Sequence, residues 1–467
     1  MSSSTRNANK RKTVLIVTYY WPPSGGAGVQ RFLKFVKYFP EHGIDPVVLT
    51  CANPTYPILD HTLADDIPEH VPVFKARTLE PFSLYGRFSG TSPEAAANPT
   101  TILGARELNP QQRLARWLRA NLFVPDARVG WVPFARSRAQ AIIKEHNIDT
   151  VVTTGPPHST HFIGKWLKRK TGIRWIADFR DPWTDIHYNR ALPRTAFTRR
   201  RDEKMEISVL NDADDVTVTA PGTARYFERK VSRTYHTIPN GFDPDDFAQP
   251  EEKTDSKSES KSGSGSKSKS GSHADADIQQ DTRPLLIRHV GSITETSVPD
   301  GLLRVLRQFP ENAVRMEFIG TVHSGVQKLA DELKLHDRVH IRPYVPHKNA
   351  TMLMQQAGLN VVVVHRSEDS RILIPGKLYD YLNAGKPVLV IGPPDGNTAS
   401  IVKNCGVGRA FDYDDEAGIN EWIRDILNGI PVITPDPNQI TRYARTNLAK
   451  RYAELIHGNI ITDSDTF

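Results

Sequence analysis

Strand-like and helix-like segments alternate along almost the whole of this 467-residue chain, and this alternation limits the fold more than any other feature. Strand-like segments at 13–18, 150–154 and 314–319 are each followed by a segment with apolar residues at helical spacing. Repeated strand–helix units are typical of α/β proteins with parallel sheets. We therefore expect parallel strands with helices packed against them.

The alternation is interrupted twice. Residues 79–110 show no clear period and are rich in Gly, Ser, Pro and Ala, which indicates an insertion. Residues 251–276 are mostly Ser, Lys and Gly, a composition that does not bury a core and indicates a flexible linker. The predicted organisation is a first domain over 1–248, a linker over 249–283, a second domain over 284–436 and a final region over 437–467 that forms one helix over about 438–456.

Composition narrows the class of protein. Apolar residues make up 38% of the chain, and no apolar run approaches the roughly 20 residues that a membrane span needs. Cys51 and Cys405 are the two cysteines, too few for a disulfide framework or a zinc site, so we expect a cytoplasmic protein. The net charge of +7 favours phosphorylated or other anionic ligands. Without a recognised nucleic-acid motif, we do not expect nucleic acid as a partner.

One predicted helix combines apolar and basic residues. Residues 111–121 carry three arginines beside Leu114, Trp117 and Leu118. This pattern fits a solvated helix face, and it also fits a peripheral contact with a membrane. In the second interpretation the protein works at the inner face of the membrane.

Loops at the carboxyl ends of the strands are the candidate sites, because doubly wound sheets bind ligands there. Gly25 and Gly26 follow the first strand and let backbone N–H groups approach an anion or a sugar. His158 follows a later strand and fits either a hydrogen bond to substrate or a buried, helix-capping role. Asp181 fits either a base that takes an acceptor's proton or the cap of a turn before Pro182.

The second half contains a further group of candidate residues. Gly291 and Ser292 end a strand and suit close approach to a phosphate. Pro375 suits a first helical turn, and Gly376 lets the backbone come close to a ligand. The free N–H groups of the helix that begins near Lys377 could hold a phosphate.

Two charged side chains of the stretch 371–390 complete the candidates. Arg371 could bind a diphosphate through bidentate hydrogen bonds from its guanidinium group. Asp380 lies about one turn into the helix and could accept hydrogen bonds from sugar hydroxyls. Both side chains also fit an ordinary solvated surface.

Taken together, these motifs resemble the glycosyltransferases of family 4, which have the GT-B fold. The first half carries YWPPSGG at 20–26, DFRDPW at 178–183 and PNGFD at 239–243. The second half carries HVGS at 289–292 and PGKLYDYLNAGKPVL at 375–389. The resemblance implies an α/β protein with two doubly wound, Rossmann-like domains facing across a cleft. It also implies a final helix that crosses back to the first domain.

The same resemblance implies an activity in polysaccharide biosynthesis. Such enzymes transfer a sugar from a nucleotide sugar to an acceptor, here a lipid-linked molecule or a polysaccharide, with retention and without a metal or another cofactor. The second domain holds the nucleotide and the first mainly the acceptor.

The resemblance also assigns roles to individual residues. Gly25 and Gly26 match the glycine loop of the first domain, and His158 matches the histidine near the transferred sugar. The turn of Pro375, Gly376 and Lys377 matches the one that meets the diphosphate and the sugar. Asp380 matches the acidic residue that binds the ribose hydroxyls.

Two departures from the family pattern leave other functions open. The family's first Glu falls at Ile372, and its Arg and Lys after the Gly291 strand have no counterpart in 293–300. Arg371 or Lys377 would then supply the missing charge. The alternatives are a binding or scaffold protein that keeps the fold without turnover, and a sugar-nucleotide epimerase of the same fold.

Overall fold

The structure is a computed structural model that describes residues 11–56, 58–80, 109–247 and 284–459. The predicted linker at 249–283 lies outside these residues, as does nearly all of the predicted insertion at 79–110. The boundaries of the predicted domains therefore stay a prediction. Among the described residues, no helix has the length and the apolar character needed to cross a bilayer.

The first sheet has seven parallel strands in the order β3-β2-β1-β4-β5-β6-β7. They are β1 (Lys12–Val17), β2 (Ile44–Cys51), β3 (Val73–Ala76), β4 (Thr150–Gly155), β5 (Arg174–Phe179), β6 (Asp215–Val218) and β7 (His236–Thr237). The helices of this half are α1 (Ala27–Tyr38), α2 (Pro110–Leu122), α3 (Val132–Glu145), α4 (His161–Thr171), α5 (His187–Arg190), α6 (Ala196–Asp212) and α7 (Pro221–Glu228).

The second sheet has six parallel strands in the order β10-β9-β8-β11-β12-β13. They are β8 (Leu285–Val290), β9 (Val314–Ile319), β10 (Val339–Arg342), β11 (Leu359–Val363), β12 (Val388–Ile391) and β13 (Gly408–Phe411). The helices are α8 (Asp300–Leu306), α9 (Ser324–Glu332), α10 (His347–Gln355), α11 (Lys377–Asn383), α12 (Asn397–Asn404), α13 (Glu416–Leu427), α14 (Pro437–Thr441) and α15 (Arg445–His457).

Each sheet has a buried apolar cluster on both of its faces. Central strands such as β4 are buried at every position because helices cover them from both sides. The prediction of two doubly wound α/β domains is therefore confirmed. In each sheet the strand order changes direction once, between β1 and β4 and between β8 and β11. Loops that leave such a switch point diverge and open a crevice, so these two places position the site.

The C-terminal region differs from the prediction of one helix over about 438–456, which is wrong. The structure has two helices, α14 and α15, separated at 442–444. The break is caused by tertiary pairing, since the Phe242 N–H donates to the Tyr443 carbonyl at 3.0 Å and the Arg445 N–H donates to the Phe242 carbonyl at 2.8 Å. Helical hydrogen bonding is thus interrupted where the chain meets the end of the first domain.

Helix α15 packs against α1 in the first domain. The Tyr452 ring lies 5.6 Å from the Phe32 ring and 5.5 Å from the Phe35 ring, measured between centroids. Arg174 at the start of β5 donates to the carbonyls of Leu455 and Ile456, each at 2.7 Å. The end of the chain therefore contributes to the core of the first domain.

Candidate functional site

A cavity of about 350 Å³ lies between the two domains. The first domain contributes the loops after β1, β4, β5 and β6, which leave the carboxyl ends of neighbouring strands. The second domain contributes Gly376, Tyr379 and the loop residues 372–374. A small polar molecule held here would touch both domains at once.

The glycine loop after β1 forms one wall of the cavity. Gly25 and Gly28 line it directly. Gly25 is held in place because its N–H donates to the Ile58 carbonyl at 2.9 Å. Gly26, just before α1, has a φ of 93°, a backbone conformation that residues with a Cβ rarely adopt. The loop therefore brings its backbone and the start of α1 to the cavity.

Arg180 contributes a cation to the same wall. It lines the cavity, and its Nη1 donates to the Gly28 carbonyl at 3.1 Å and to Thr154 Oγ1 at 3.2 Å. Its Nη2 donates to the Pro156 carbonyl. The guanidinium group thus ties the glycine loop to the loop after β4 while it stays at the cavity surface.

The two aspartates on either side of Arg180 have different environments. Asp181 lines the cavity, so the structure places this predicted site residue where a ligand would contact it. Asp178 is fully buried and pairs with Arg31 at 2.7 Å. Burial alone would raise the pKa of Asp178, but the charge of Arg31 and hydrogen bonds from Arg31, Thr217 and Thr154 outweigh it and lower the pKa.

His158 is buried behind the cavity wall rather than exposed in it. Its ring stacks on Trp183 with 4.9 Å between centroids, and both of its ring nitrogens are buried without a hydrogen-bond partner among the described residues. Burial, followed by the nearby charges of His161 and Arg180, lowers the pKa of His158 well below its usual value. The imidazole is therefore neutral at physiological pH.

A histidine positions Lys377 in the second domain. His289 Nδ1 lies 3.0 Å from the Val361 carbonyl oxygen, which only accepts, so Nδ1 carries the ring proton. The lone pair of Nε2 then faces Lys377 Nζ at 2.6 Å. Burial lowers the pKa of Lys377 to about 7. The amine is thus poised between its charged and neutral forms near neutral pH.

Gly291 and Ser292 lie beside this amine at the end of β8. The φ of Gly291 is 120°, and a Cβ added there would lie 2.8 Å from Lys377 Nζ. The Ser292 carbonyl oxygen lies 3.4 Å from the same Nζ. A residue larger than glycine would displace Lys377, so the three predicted residues form one unit.

The remaining predicted residues, Pro375, Gly376 and Asp380, lie at or near the start of α11 but in different environments. Pro375 precedes the helix, and its carbonyl accepts from the Leu378 N–H at 3.0 Å. Gly376 lines the cavity, whereas the buried Asp380 is not part of the wall that the described residues form. Burial raises the pKa of Asp380, although the nearby charges of His347 and Arg445 lower it in part.

Asp380 lies near a polar contact between the domains, where its charge acts on His347. His347 of α10 has its Nε2 3.2 Å from Asp246 Oδ2. Burial opposes protonation of His347, but the nearby charge of Asp380 and the hydrogen bond and charge of Asp246 outweigh it and raise the pKa of His347. Nearby, Tyr344 donates to Asp60 Oδ2 across the domains at 3.1 Å.

Arg371 extends into solvent outside the cavity. Its side chain is 68% exposed and pairs with Asp395 at 2.8 Å. Its backbone carbonyl accepts from the Asn397 N–H at 2.8 Å, which holds the loop 371–374 against α12. The next residue, Ile372, is the one that lines the cavity.

Ile372 also approaches the first domain closely at this edge of the cavity. A Cβ added to Gly222 of α7 would lie 2.5 Å from Ile372 Cβ and 3.0 Å from Asn397 Nδ2. The position where family 4 has its first Glu is therefore used here for apolar contact with the first domain.

Sequence reasoning missed two residues of this site, Arg180 and His289. Arg180 belongs to the motif DFRDPW, and its place directly after a strand end, between two aspartates, is the signal that marks it. His289 lies inside a strand, where nothing in the pattern distinguishes a lysine-positioning histidine from a core residue.

Comparison with known proteins agrees with this architecture. Residues 25–241 match the family described as the glycosyl transferase 4-like domain. A search of the curated proteins returned no match to this sequence.

Solved structures resemble the chain over almost its full length. Sucrose-phosphate synthase from Thermosynechococcus elongatus is 14% identical with a TM-score of 0.56, covering 96% of this chain and 95% of that one. HepE from Anabaena, solved in complex with UDP, is 13% identical with a TM-score of 0.54 and covers 95% of each chain. The lipopolysaccharide outer core galactosyltransferase WaaB is 11% identical with a TM-score of 0.55, covering 96% of this chain and 99% of that one.

At these identities the structural likeness shows the fold, which is GT-B, and the family match adds the type of enzyme. Residues 25–241 of this chain are thus similar to the glycosyl transferase 4-like domain, and its two sheets have the GT-B arrangement of these solved structures.

Proposed function

We propose that the protein transfers a sugar from a nucleotide sugar to a lipid-linked or polysaccharide acceptor, with retention at the anomeric carbon and without a metal or other cofactor. The observation that carries the proposal is the cavity between the domains, which has the glycine loop and Arg180 on one side and Gly376 on the other. We further propose that it works in the cytoplasm, at the inner face of the membrane.

The second domain is proposed to hold the nucleotide sugar. Lys377, fixed beside Gly291 and Ser292, faces the diphosphate, and Pro375 and Gly376 bring the start of α11 to it. Asp380 would reach the ribose hydroxyls only after the polar contact around His347 rearranges.

The first domain is proposed to hold the acceptor and to stabilise the reaction. Asp181 lines the cavity and is the candidate base for the acceptor hydroxyl. Arg180 is the cation of the first domain at the cavity and a better candidate for developing negative charge than the exposed Arg371. The neutral His158 acts indirectly, by packing on Trp183 beneath this wall.

The relatives suggest which donor to test first. HepE was solved with UDP and with UDP-glucose, so UDP-sugars are the first donors to test for thermal stabilisation of this protein. A donor at concentration c that binds only the folded protein stabilises it by RT ln(1 + c/Kd), so the melting temperature rises with the logarithm of the donor concentration once this exceeds Kd. Transfer is then measured with the stabilising donor and a lipid-linked or polysaccharide acceptor.

The two alternatives give different results in the same experiment. A scaffold protein would be stabilised by the donor and would release no nucleotide with any acceptor. An epimerase would convert the sugar of the donor into its epimer without an acceptor. Stabilisation by none of the nucleotide sugars would contradict the proposed function itself.

We predict that donor binding depends on pH through Lys377. Its pKa of about 7 in the free protein means that the amine is charged below this pH. Above pH 7, binding of the diphosphate must take up a proton, so Kd should rise about tenfold per pH unit until the pH reaches the pKa of the complex. The measurement is Kd for the best nucleotide sugar from pH 6 to 9, since its diphosphate diester does not titrate there.

Variants assign this pH dependence to one amine. Lys377→Met should weaken binding by about 10–150-fold, the loss of one charge-assisted contact of roughly 1.5–3 kcal/mol, and should abolish the slope. Lys403→Met, an exposed lysine on α12, is the matched control and should keep both affinity and slope. An unchanged slope in Lys377→Met would remove this residue from the phosphate site.

We also predict that Gly222→Ala hinders closure of the cleft. The new Cβ would lie 2.5 Å from Ile372 Cβ, and overpacking of this kind costs about 1–3 kcal/mol, or roughly a 5–150-fold loss of kcat/KM if turnover needs the closed form. Ile372→Gly in the same chain removes the two nearest opposing atoms, Cβ and Cγ2 of Ile372, and should restore most of the activity. Failure of this second change to restore activity would place the defect inside α7 rather than between the domains.

A further inference from the structure

Helix α2 carries its apolar face toward solvent instead of toward the core. Leu114, Trp117, Leu118 and Leu122 recur at helical spacing, and their exposed fractions are 58%, 43%, 39% and 67%. Surface helices of globular proteins turn such a stripe inward. Here the opposite arrangement leaves four large apolar side chains together at the surface.

Polar contacts account for the orientation of α2. Arg116 Nη2 donates to the Ala191 carbonyl at 3.2 Å, and Asn121 Nδ2 donates to the Pro193 carbonyl at 2.9 Å. Ala120, which is small and lies one turn after Arg116, is buried. Hydrogen bonds to a loop backbone thus attach the helix to the domain, and its apolar residues are left outside.

The start of α6 extends this apolar surface. Asn121 Oδ1 accepts from Thr198 Oγ1 at 2.8 Å, so the end of α2 and the first turn of α6 are adjacent. Phe197, next to Thr198, is 75% exposed. Phe197 also lines a groove of about 590 Å³ together with Phe162 and Met205.

Positive charge surrounds the apolar residues. Arg113 is exposed on α2, and α6 presents the exposed run Arg199, Arg200 and Arg201. Arg200, Arg201 and two lysines, Lys165 and Lys204, also line the groove beside Phe197. Apolar side chains within a border of cations match the acyl chains and phosphates of an anionic bilayer.

We propose that this surface, formed by the outer face of α2 and the first turns of α6, docks on a bilayer that contains anionic phospholipid. The charge is what favours a bilayer over a second copy of the chain, because two such surfaces facing each other would bring like charges together. The inference deepens the proposed function, since a protein docked in this way would meet a lipid-linked acceptor at its own membrane.

The docking surface is connected to the cavity through buried contacts. Pro182 lines the cavity, and the next residue, Trp183, donates from Nε1 to Asp202 Oδ1 on α6 at 2.9 Å. Asp202 in turn pairs with Arg194, whose Nη2 donates to the Pro125 carbonyl at 2.6 Å. Docking would therefore orient the acceptor side of the cleft relative to the membrane.

The test is co-sedimentation of the full chain with vesicles of phosphatidylcholine, alone or with phosphatidylglycerol. We expect at least about tenfold stronger partitioning onto the anionic vesicles, which weakens as salt is added. Leu118→Glu with Phe197→Glu should abolish it. Leu427→Glu is the matched control, because Leu427 is 40% exposed on α13 of the second domain and should leave binding unchanged.

Vesicle binding is measured without a sugar donor, so its outcome is independent of the transferase proposal. Circular dichroism and melting temperature establish that the double variant is folded. Equal partitioning of the wild type onto both kinds of vesicle, or unchanged binding of the folded double variant, would overturn the inference. So would a wild type that dimerises without vesicles and becomes monomeric in the double variant, because a second copy would then cover the surface.

Discussion

Replacing Asp178 with asparagine is expected to lower the free energy of unfolding of the first domain by about 3–5 kcal/mol. Asp178 and Arg31 both have side chains with no solvent exposure, and their atoms approach to 2.7 Å. Thr154 and Thr217 donate to the carboxylate at 2.8 and 2.7 Å. The amide would keep the shape but leave the Arg31 guanidinium group as an uncompensated buried charge.

This loss can be measured selectively. Six of the seven tryptophans lie before the predicted linker, so tryptophan fluorescence during denaturant unfolding reports mainly on the first domain. Asp395→Asn breaks the exposed pair with Arg371 and should leave the transition unchanged. If Asp178→Asn shifted the transition no more than this control, the buried pair would not be important for stability.

The same pair predicts how stability changes with pH. Because the folded protein lowers the pKa of Asp178 below its usual value, the stabilisation is present above about pH 4 and is lost as the pH falls through the folded pKa. Asp178→Asn should therefore be less sensitive to acid than the wild type.

Arg180→Ala is expected to lower kcat/KM for the proposed transfer by about 10²–10³-fold, the typical cost of losing one preorganised donor at developing charge. Arg180 lies in the cavity wall and fastens Gly28 and Pro156 to it. If the cation acts on the leaving nucleotide, the loss should appear mainly in kcat. If it only holds the glycine loop, KM should rise as much as kcat falls.

Two comparisons complete this test. Arg180→Lys keeps a positive charge without the planar fork and should recover only part of the lost activity. Arg371→Ala removes an exposed arginine that pairs with Asp395 and should change kcat/KM much less. A larger effect of Arg371→Ala than of Arg180→Ala would return the catalytic role to Arg371.

Most of the fold could be predicted from local pattern. Buried strands of parallel sheets are continuous apolar runs, so their positions are visible in sequence. Strand β13, Gly408–Phe411, is not visible in this way, because it lies at the edge of its sheet and its partly exposed pattern lacks such a run. The wrong final helix has a similar cause, since the break at 442–444 follows from pairing with Phe242, which is about 200 residues away.

The site was predicted in part. Gly25, Gly376 and Asp181 line the cavity, as expected of loops at the carboxyl ends of strands. The charged side chains were harder, because a spacing in sequence does not say which way a long side chain points. Arg371 extends into solvent although its neighbour Ile372 lines the cavity.

The sequence by itself thus determined the two doubly wound domains and the loops that meet between them, because these depend on local periodicity and on glycine and proline positions. The tertiary structure decided the electrostatics. It paired Arg31 with Asp178 inside the first domain, and it set the charge of Lys377 by burial next to His289. Burial and pairing join residues that are far apart in the chain, and for that reason only the folded protein reveals which charges are available for chemistry.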